Sequence, residues 1–371
     1  MRGEPLSLTG PDSHRLVREP GAGGLTIGPG DAVPRPDLVV GPADRIDWAV
    51  FDPFTVPAGY PWPRVFRYDG DDTGFFAWSR RRRIESFSWQ PRAAHYLDVS
   101  SARIDNLAVT VHRAPVHLVV AENQRHLAFA GDLSLLSVDL ADGAGCPTLG
   151  FLPATTAARD AGPVGLPPMP AFAGARSVDV KVRPLRQPFD CASLVQFPGL
   201  RHLALAGSLT GLPALAGLRE LTSLHLRYCP DLTELPELDT WPGLTDVIAF
   251  NVEETTGKRL RRSGRARVSQ LRKPAWFSTG YGLPFSAWPA RTARAATTAY
   301  RAAAGTVTAA TAPGDVEQAV RVFVAAINKL PGIETTERED AAEAVAQLTA
   351  STPLGDLRDA AARWFDTERD F

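Results

Sequence analysis

The stretch "LRHLALAGSLTGLPALAGLRELTSLHLRYC", residues 200–229, restates itself after 21 residues. Leu200, Leu203 and Leu205 are matched by Leu221, Leu224 and Leu226, and 23 residues further on by Leu244, Val247 and Ala249. A unit of that length cannot bury its leucines alone, so neighbours must stack and share one core, with alternate strand residues pointing inward. "RHLAFAG" at 125–131 differs from "RHLALAG" at 201–207 at one residue, which predicts equivalent places for the two. The segments between strands, "SLTGLPALAG" and "PDLTELPELDTW", have the Leu, Pro and Gly spacing of turns or short 3-10 pieces rather than helices.

This LxxLxL pattern resembles the leucine-rich-repeat family. Cys229 falls where that family carries Asn or Cys, and Ser208 and Val252 stand there in the flanking copies. The resemblance covers residues 198–252 and reaches back toward residue 95, with Val178 and Val180 of "ARSVDVKV" in an earlier copy. It implies a concave sheet face that recognises protein. The strand positions on that face are Arg201, His202, Ala204 and Ala206, then Thr222, Ser223, His225 and Arg227, then Thr245, Asp246, Ile248 and Phe250, with Tyr228 at the edge. The expected contact residues are therefore Arg201, His202, Ser223, His225, Arg227, Tyr228, Asp246 and Phe250. The residues by themselves leave open that these are simply solvated strand positions.

Around this stretch the composition shifts several times. Residues 1–44 are rich in Gly and Pro without a sustained hydrophobic period and read as a flexible tail; their "GAGGLTIGPG" fits neither phosphate-loop spacing. Residues 45–94 gather aromatic side chains, and "RVFRYDG" and "GFFAWSR" read as β-hairpins around the turn "DGDDTG". Asp69, Asp71 and Asp72 lack the glycine and the distal Glu of a calcium loop. Strand-like segments such as "NLAVTVH", "VHLVVAE" and "LLSVDLA" then recur at about ten-residue intervals between 95 and 142, which suggests stacked or meandering strands, and 95–257 as a whole reads as a β-solenoid with leucine-rich repeats, clearest at 198–252. Residues 258–290 form a basic connector and a linker that docks through Trp276, Phe277, Tyr281, Phe285 and Trp288.

Residues 291–371 read as helices. Val316, Val320, Phe323, Ala326, Ile327 and Leu330 share a face behind the cap Asp315; Thr336 and Glu339 suggest a capping box; Leu357, Ala361 and Trp364 anchor the last helix. The expected fold class is α+β: a β-rich short leucine-rich-repeat-like solenoid, preceded by an aromatic β-rich N-terminal region and followed by a C-terminal helical bundle. The segments "VRVFVAAINKL", "IETTEREDAAEAV" and "WFDTERDF" resemble the tail of a poorly characterised group of actinobacterial leucine-rich-repeat proteins loosely labelled gliding motility protein. That resemblance implies an intracellular bacterial protein.

Function is bounded mainly by what is missing. The 40 basic and 41 acidic residues nearly cancel, so no global field recruits nucleic acid or membrane. Three scattered cysteines suit a reducing compartment, and neither a signal peptide nor a membrane-spanning run is evident, which predicts a cytoplasmic protein. No GxSxG or cysteine-protease signature marks a nucleophile, the seven histidines form no HxH or HExxH pair, and no cofactor or metal is expected. The acids Glu334, Glu337, Glu339, Asp340 and Glu343 suit a helix start. Two basic runs break the neutrality: Arg80–Arg83, and Lys258, Arg259, Arg261, Arg262, Arg265, Arg267, Arg272 and Lys273. The second could grip phosphates, although it lacks aromatic interleaving. The leading expectation is a non-catalytic recognition or scaffold protein. The alternatives are an enzyme whose site converges from separate strands, and phosphate or nucleic-acid binding through residues 258–273.

Overall fold

The computed structural model describes all residues except 1–2, 22, 33–34, 122–123, 156–161, 183–186, 270, 272–282, 284, 286–287, 350–351 and 353, and the side chain of Thr336. The chain divides into two compact units, Met1–Thr156 with Gly162–Arg272, and Ala157–Ala161 with Lys273–Phe371.

Strands fill the first unit. They are β1 (Glu4–Leu6), β2 (His14–Leu16), β3 (Leu25–Gly28), β4 (Leu38–Val39), β5 (Val65–Asp69), β6 (Ile84–Gln90), β7 (His95–Asp98), β8 (Ile104–Val111), β9 (Val116–Val120) and β10 (His126–Gly131). There follow β11 (Leu136–Leu140), β12 (Thr148–Pro153), β13 (Ser177–Lys181), β14 (Phe189–Asp190), β15 (His202–Ala206), β16 (Leu209–Thr210), β17 (Ser223–Arg227), β18 (Asp246–Phe250) and β19 (Ala266–Ser269). Twelve of them form one sheet in the order β19-β18-β17-β15-β13-β12-β10-β8-β6-β5-β3-β4, and every pairing in it is parallel. Strands β11, β9 and β7 make a second parallel sheet.

Register explains why this sheet is stable. Phe66, Phe87, Leu107, Leu127 and Leu149 face one another across successive strands, as do Tyr68, Trp89, Val109, Phe129 and Phe151. The rows continue through Val178, Leu203, Leu224 and Val247, and through Val180, Leu205, Leu226 and Ala249. All of these are buried, and each full burial of a large apolar side chain contributes roughly 1.5–3 kcal/mol. A one-residue slip in any strand would turn its whole set outward, so the pattern holds the register.

Different elements cover the inner face of the sheet along its length. Near β5 and β6 the cover is aromatic: helix α1 (Gly74–Ser79) lays Phe75 on Phe87 with ring centroids 3.9 Å apart and planes at 6°. Trp48, on a 3-10 turn, packs edge-on against Phe66 and Tyr68. Their polar atoms are satisfied, Trp48 Nε1 donating to Asp72 at 2.7 Å and Trp78 Nε1 to Asp52 at 2.8 Å. Leu118, Val120 and Leu136 of the second sheet belong to the same core. Toward β17 the cover is 3-10 turns carrying Leu194, Leu212, Leu215 and Leu238. Helix α2 (Glu254–Arg262) precedes β19.

"RHLAFAG" and "RHLALAG" do occupy equivalent positions: the register carries His126 through Thr148 to the row of Ser177 and His202. Both end on glycines with positive φ, Gly131 at +87° and Gly207 at +100°. A Cβ there would lie 2.0 Å from the Val111 carbonyl oxygen and 1.9 Å from that of Val182, so no other residue fits as the chain leaves the strand.

Several expectations are corrected. The short leucine-rich solenoid with a separate aromatic region gives way to an α/β fold, because one twelve-stranded parallel sheet runs through both regions. The leucine pattern marked only its later strands; in the earlier ones the same inward positions mix Leu with Phe, Tyr, Trp and Val. "GFFAWSR" is helical, and β5 and β6 pair in parallel across α1 rather than as a hairpin. Residues 1–44, read as a tail, carry β1–β4 and bury Leu6, Leu8, Leu16, Leu25, Ile27 and Leu38. The ten-residue recurrence after residue 95 reflects alternation between two sheets, β8 and β10 in the large one, β7, β9 and β11 in the small.

The second unit is helical, with helices Ala290–Thr308, Pro313–Ile327, Thr335–Thr349 and Arg358–Glu368 around Phe323, Val324, Ile327, Val345, Leu348 and Phe365. Asp315 lies inside the first turn of its helix and reaches back to accept from the Thr311 and Ala312 backbone N–H groups at 3.0 Å each. At the next helix start Glu337 accepts from the Glu334 N–H. Of the docking aromatics, Phe285 and Trp288 are buried in this unit, while Trp276, Phe277 and Tyr281 fall outside the described residues.

Candidate functional site

Alternation along the parallel strands leaves one face of the large sheet free of the core rows, and register brings the expected contact residues together there. Ser223 lies opposite Asp246, and His225 opposite Ile248 on one side and Ala204 on the other. Asp246 is the hub. Its Oδ2 accepts from the Ser223 hydroxyl at 3.1 Å and lies 2.8 Å from His225 Nε2, while its Oδ1 accepts from Arg267. The hydrogen bond with His225, then that from Arg267, hold the Asp246 carboxyl at about 2. Tyr228 meets Phe250 edge-on with ring centroids 5.7 Å apart, beside exposed Arg227. Arg201 sits at the strand entry and turns to Glu220 at 3.4 Å, and His202 is exposed beside it.

Ser223, His225 and Asp246 invite comparison with a catalytic triad, and the geometry argues against one. A relay needs the serine and the carboxylate on opposite ring nitrogens of the histidine. Here both meet Nε2, at 3.2 Å and 2.8 Å, and the serine hydroxyl donates directly to the carboxylate. No thiol replaces it as a nucleophile: burial raises Cys146 to about 11 and Cys229 to about 12, and pushes Cys191 up as well.

The basic run falls on α2, β19 and the turn between them, and four of its six described members are ion-paired. Lys258 pairs with Glu254 at 2.6 Å, Arg259 with Glu237 at 2.7 Å, Arg265 with Asp239 at 2.9 Å, and Arg267 with Asp246. Arg261 donates to the Val268 carbonyl, and Arg262 is exposed. Arg272 and Lys273 fall outside the described residues. The acids Glu237, Asp239 and Asp246 lie 21–26 residues before their partners, about one strand-to-strand step, which is the signal that could have located them.

Several other chemistry-bearing side chains are taken up structurally. Asp69 holds Arg92 through two bonds at 2.7 and 2.8 Å, Asp71 accepts from two backbone N–H groups and lies 3.2 Å from His95, and Asp72 binds Trp48. Arg82 of the first basic run is buried, donating to the Phe51 and Pro63 carbonyls at 2.6 and 2.9 Å over the Trp78 ring. Among the described residues no group of three or more His, Cys, Asp or Glu side chains is placed to hold a metal ion, and no helix is long and apolar enough to cross a membrane. In comparisons with family models, curated proteins and solved structures, nothing matches this chain.

Proposed function

We propose that this is a non-catalytic recognition or scaffold protein that offers the open face of its parallel sheet to a protein partner. The contacts would come from His202, Ser223, His225, Arg227, Tyr228, Asp246 and Phe250, with Arg201 at the margin. The observation that carries this reading is the Ser223–His225–Asp246–Arg267 network beside the Tyr228–Phe250 pair. It fixes polar and aromatic groups on a hydrogen-bonded framework, so little conformational entropy remains to be lost on binding. A cytoplasmic setting belongs to the same proposal and agrees with three free cysteines. The catalytic alternative is disfavoured by the shared Nε2 contact, and the phosphate alternative by the acids already paired with the basic run.

The test is capture of partners on immobilised protein at physiological salt, repeated with His202, His225 and Arg227 changed to alanine. A defined protein retained by the native chain and released by the triple variant is the expected result. Retention unaffected by the variant, or of nucleic acid alone, would sink the proposal.

A further inference from the structure

A concavity opens on the same sheet face far from His225, over β3, β5, β6 and β8. It encloses about 270 Å³. Two register rows supply its floor: Thr26, Arg67, Ser88 and Ala108 in one, Asp69, Gln90 and Thr110 in the other, with Ala32 at the wall. Asp69 is committed to Arg92. The side chains of Thr26, Arg67, Ser88, Gln90 and Thr110 make no hydrogen bond or ion pair among the described residues, so a guanidinium, three hydroxyls and an amide face the space with donors to spare.

We infer that this concavity binds a small monocarboxylate whose body carries hydroxyl or amide groups. Arg67 supplies a planar fork that matches a carboxylate in a two-bond arrangement, and Thr26 and Ser88, its neighbours on either side, add hydroxyl donors. Gln90 and Thr110, each able to donate and accept, meet the polar body. Ala108 leaves the room that a larger residue would fill. A phosphate dianion suits the site poorly, since Arg67 alone among the lining residues is cationic and would face two charges. The volume lies near the lower end for ligand pockets and fits something the size of an acylated amino acid. The carboxylate can come from a free acid or from a peptide C-terminus.

Calorimetric titration with N-acetylserine, N-acetylserinamide, the peptide Gly-Ala-Ser as free acid and as amide, and inorganic phosphate separates the possibilities. The expected result is saturable binding of at least one acid, with its amide twin and phosphate at least about tenfold weaker. Arg67→Gln should lose about tenfold or more, and Ala108→Leu should abolish binding by filling the space, both variants keeping the native circular dichroism spectrum. Preference for the peptide acid over N-acetylserine would assign the source to a chain terminus. His225→Ala should leave these affinities unchanged, which keeps this site's fate separate from that of the proposed partner face. Equal binding of acid and amide, tighter binding of phosphate, undiminished binding by Arg67→Gln, or no saturation by either acid below about 10 mM would overturn the inference.

Discussion

The sheet unit and the helical unit each hold a carboxylate by hydrogen bonds, yet protons see the two in opposite ways. Asp246 lies on the open sheet face, where bonds with His225, Arg267 and Ser223 favour its charge and lower it to about 2. Asp340 is part-buried in the helical unit; desolvation dominates, the bond from Trp288 Nε1 at 2.9 Å only partly offsets it, and nearby Glu337, Glu339 and Glu343 add to the rise to about 6. A hydrogen bond to a carboxylate thus does not fix the sign of its contribution. What decides is whether cations and open solvent, or apolar neighbours and like charges, make up the rest of its surroundings.

The same contrast extends to the backbone, and glycine substitutions should break it most visibly. Gly207→Val places a side chain against the Val182 carbonyl at positive φ and should cost the sheet unit on the order of 4 kcal/mol in urea unfolding. Gly305, inside helix Ala290–Thr308 with nothing within 4 Å of a would-be Cβ, should behave in reverse. Gly305→Ala should stabilise the helical unit by about 1 kcal/mol. A destabilised Gly305→Ala protein would mean that this helix face is covered.

Next in size is Arg82→Met, which removes a buried cation, takes from the Pro63 carbonyl its bond from Arg82, and leaves the Phe51 carbonyl only the longer bond from the Phe54 N–H. A loss of about 2–3 kcal/mol in chemical denaturation is expected; a loss below about 0.5 kcal/mol would mean that water replaces the guanidinium without difficulty.

Acid titration sharpens the carboxylate comparison. With Asp340 raised from 3.8 to about 6, the folded form binds more protons than the unfolded one between those values, so stability falls as pH rises through them. Asp340→Asn keeps an acceptor for Trp288 and should flatten that slope, gaining on the order of 1 kcal/mol at pH 7 once solvent screening of the part-exposed group is allowed for. Asp246 runs the other way. Its contribution is complete above about pH 4 and fades as pH falls toward 2. Asp246→Asn should cost about 0.5 kcal/mol or less at neutral pH, because more than a third of the side chain is exposed and solvent screens it, and remove the corresponding acid dependence in calorimetry.

Much of the later sheet was legible from Leu203, Leu205, Leu224 and Leu226, because identical side chains at a fixed spacing announce shared inward positions. The earlier half was not legible. Phe66, Tyr68, Phe87 and Trp89 hold the same rows, but aromatic density with a DG turn also satisfies a hairpin, and only pairing direction separates the two. The candidate face was visible as strand positions, and its network was not: Asp246, Arg267 and His225 come from three strands. Arg67 gave no signal, since a single arginine in an alternating strand looks solvated until its neighbours Thr26 and Ser88 are placed beside it.

By itself the sequence determined local periodicity, the places where the backbone must turn, and the helical character of the C-terminal third, because those depend on near neighbours. Only the tertiary structure decided that twelve of the strands make one parallel sheet, which bases are neutralised, and which polar groups face open space. Those outcomes depend on residues about twenty positions apart meeting across a sheet, and adjacent-residue preferences do not encode which strand lies alongside which.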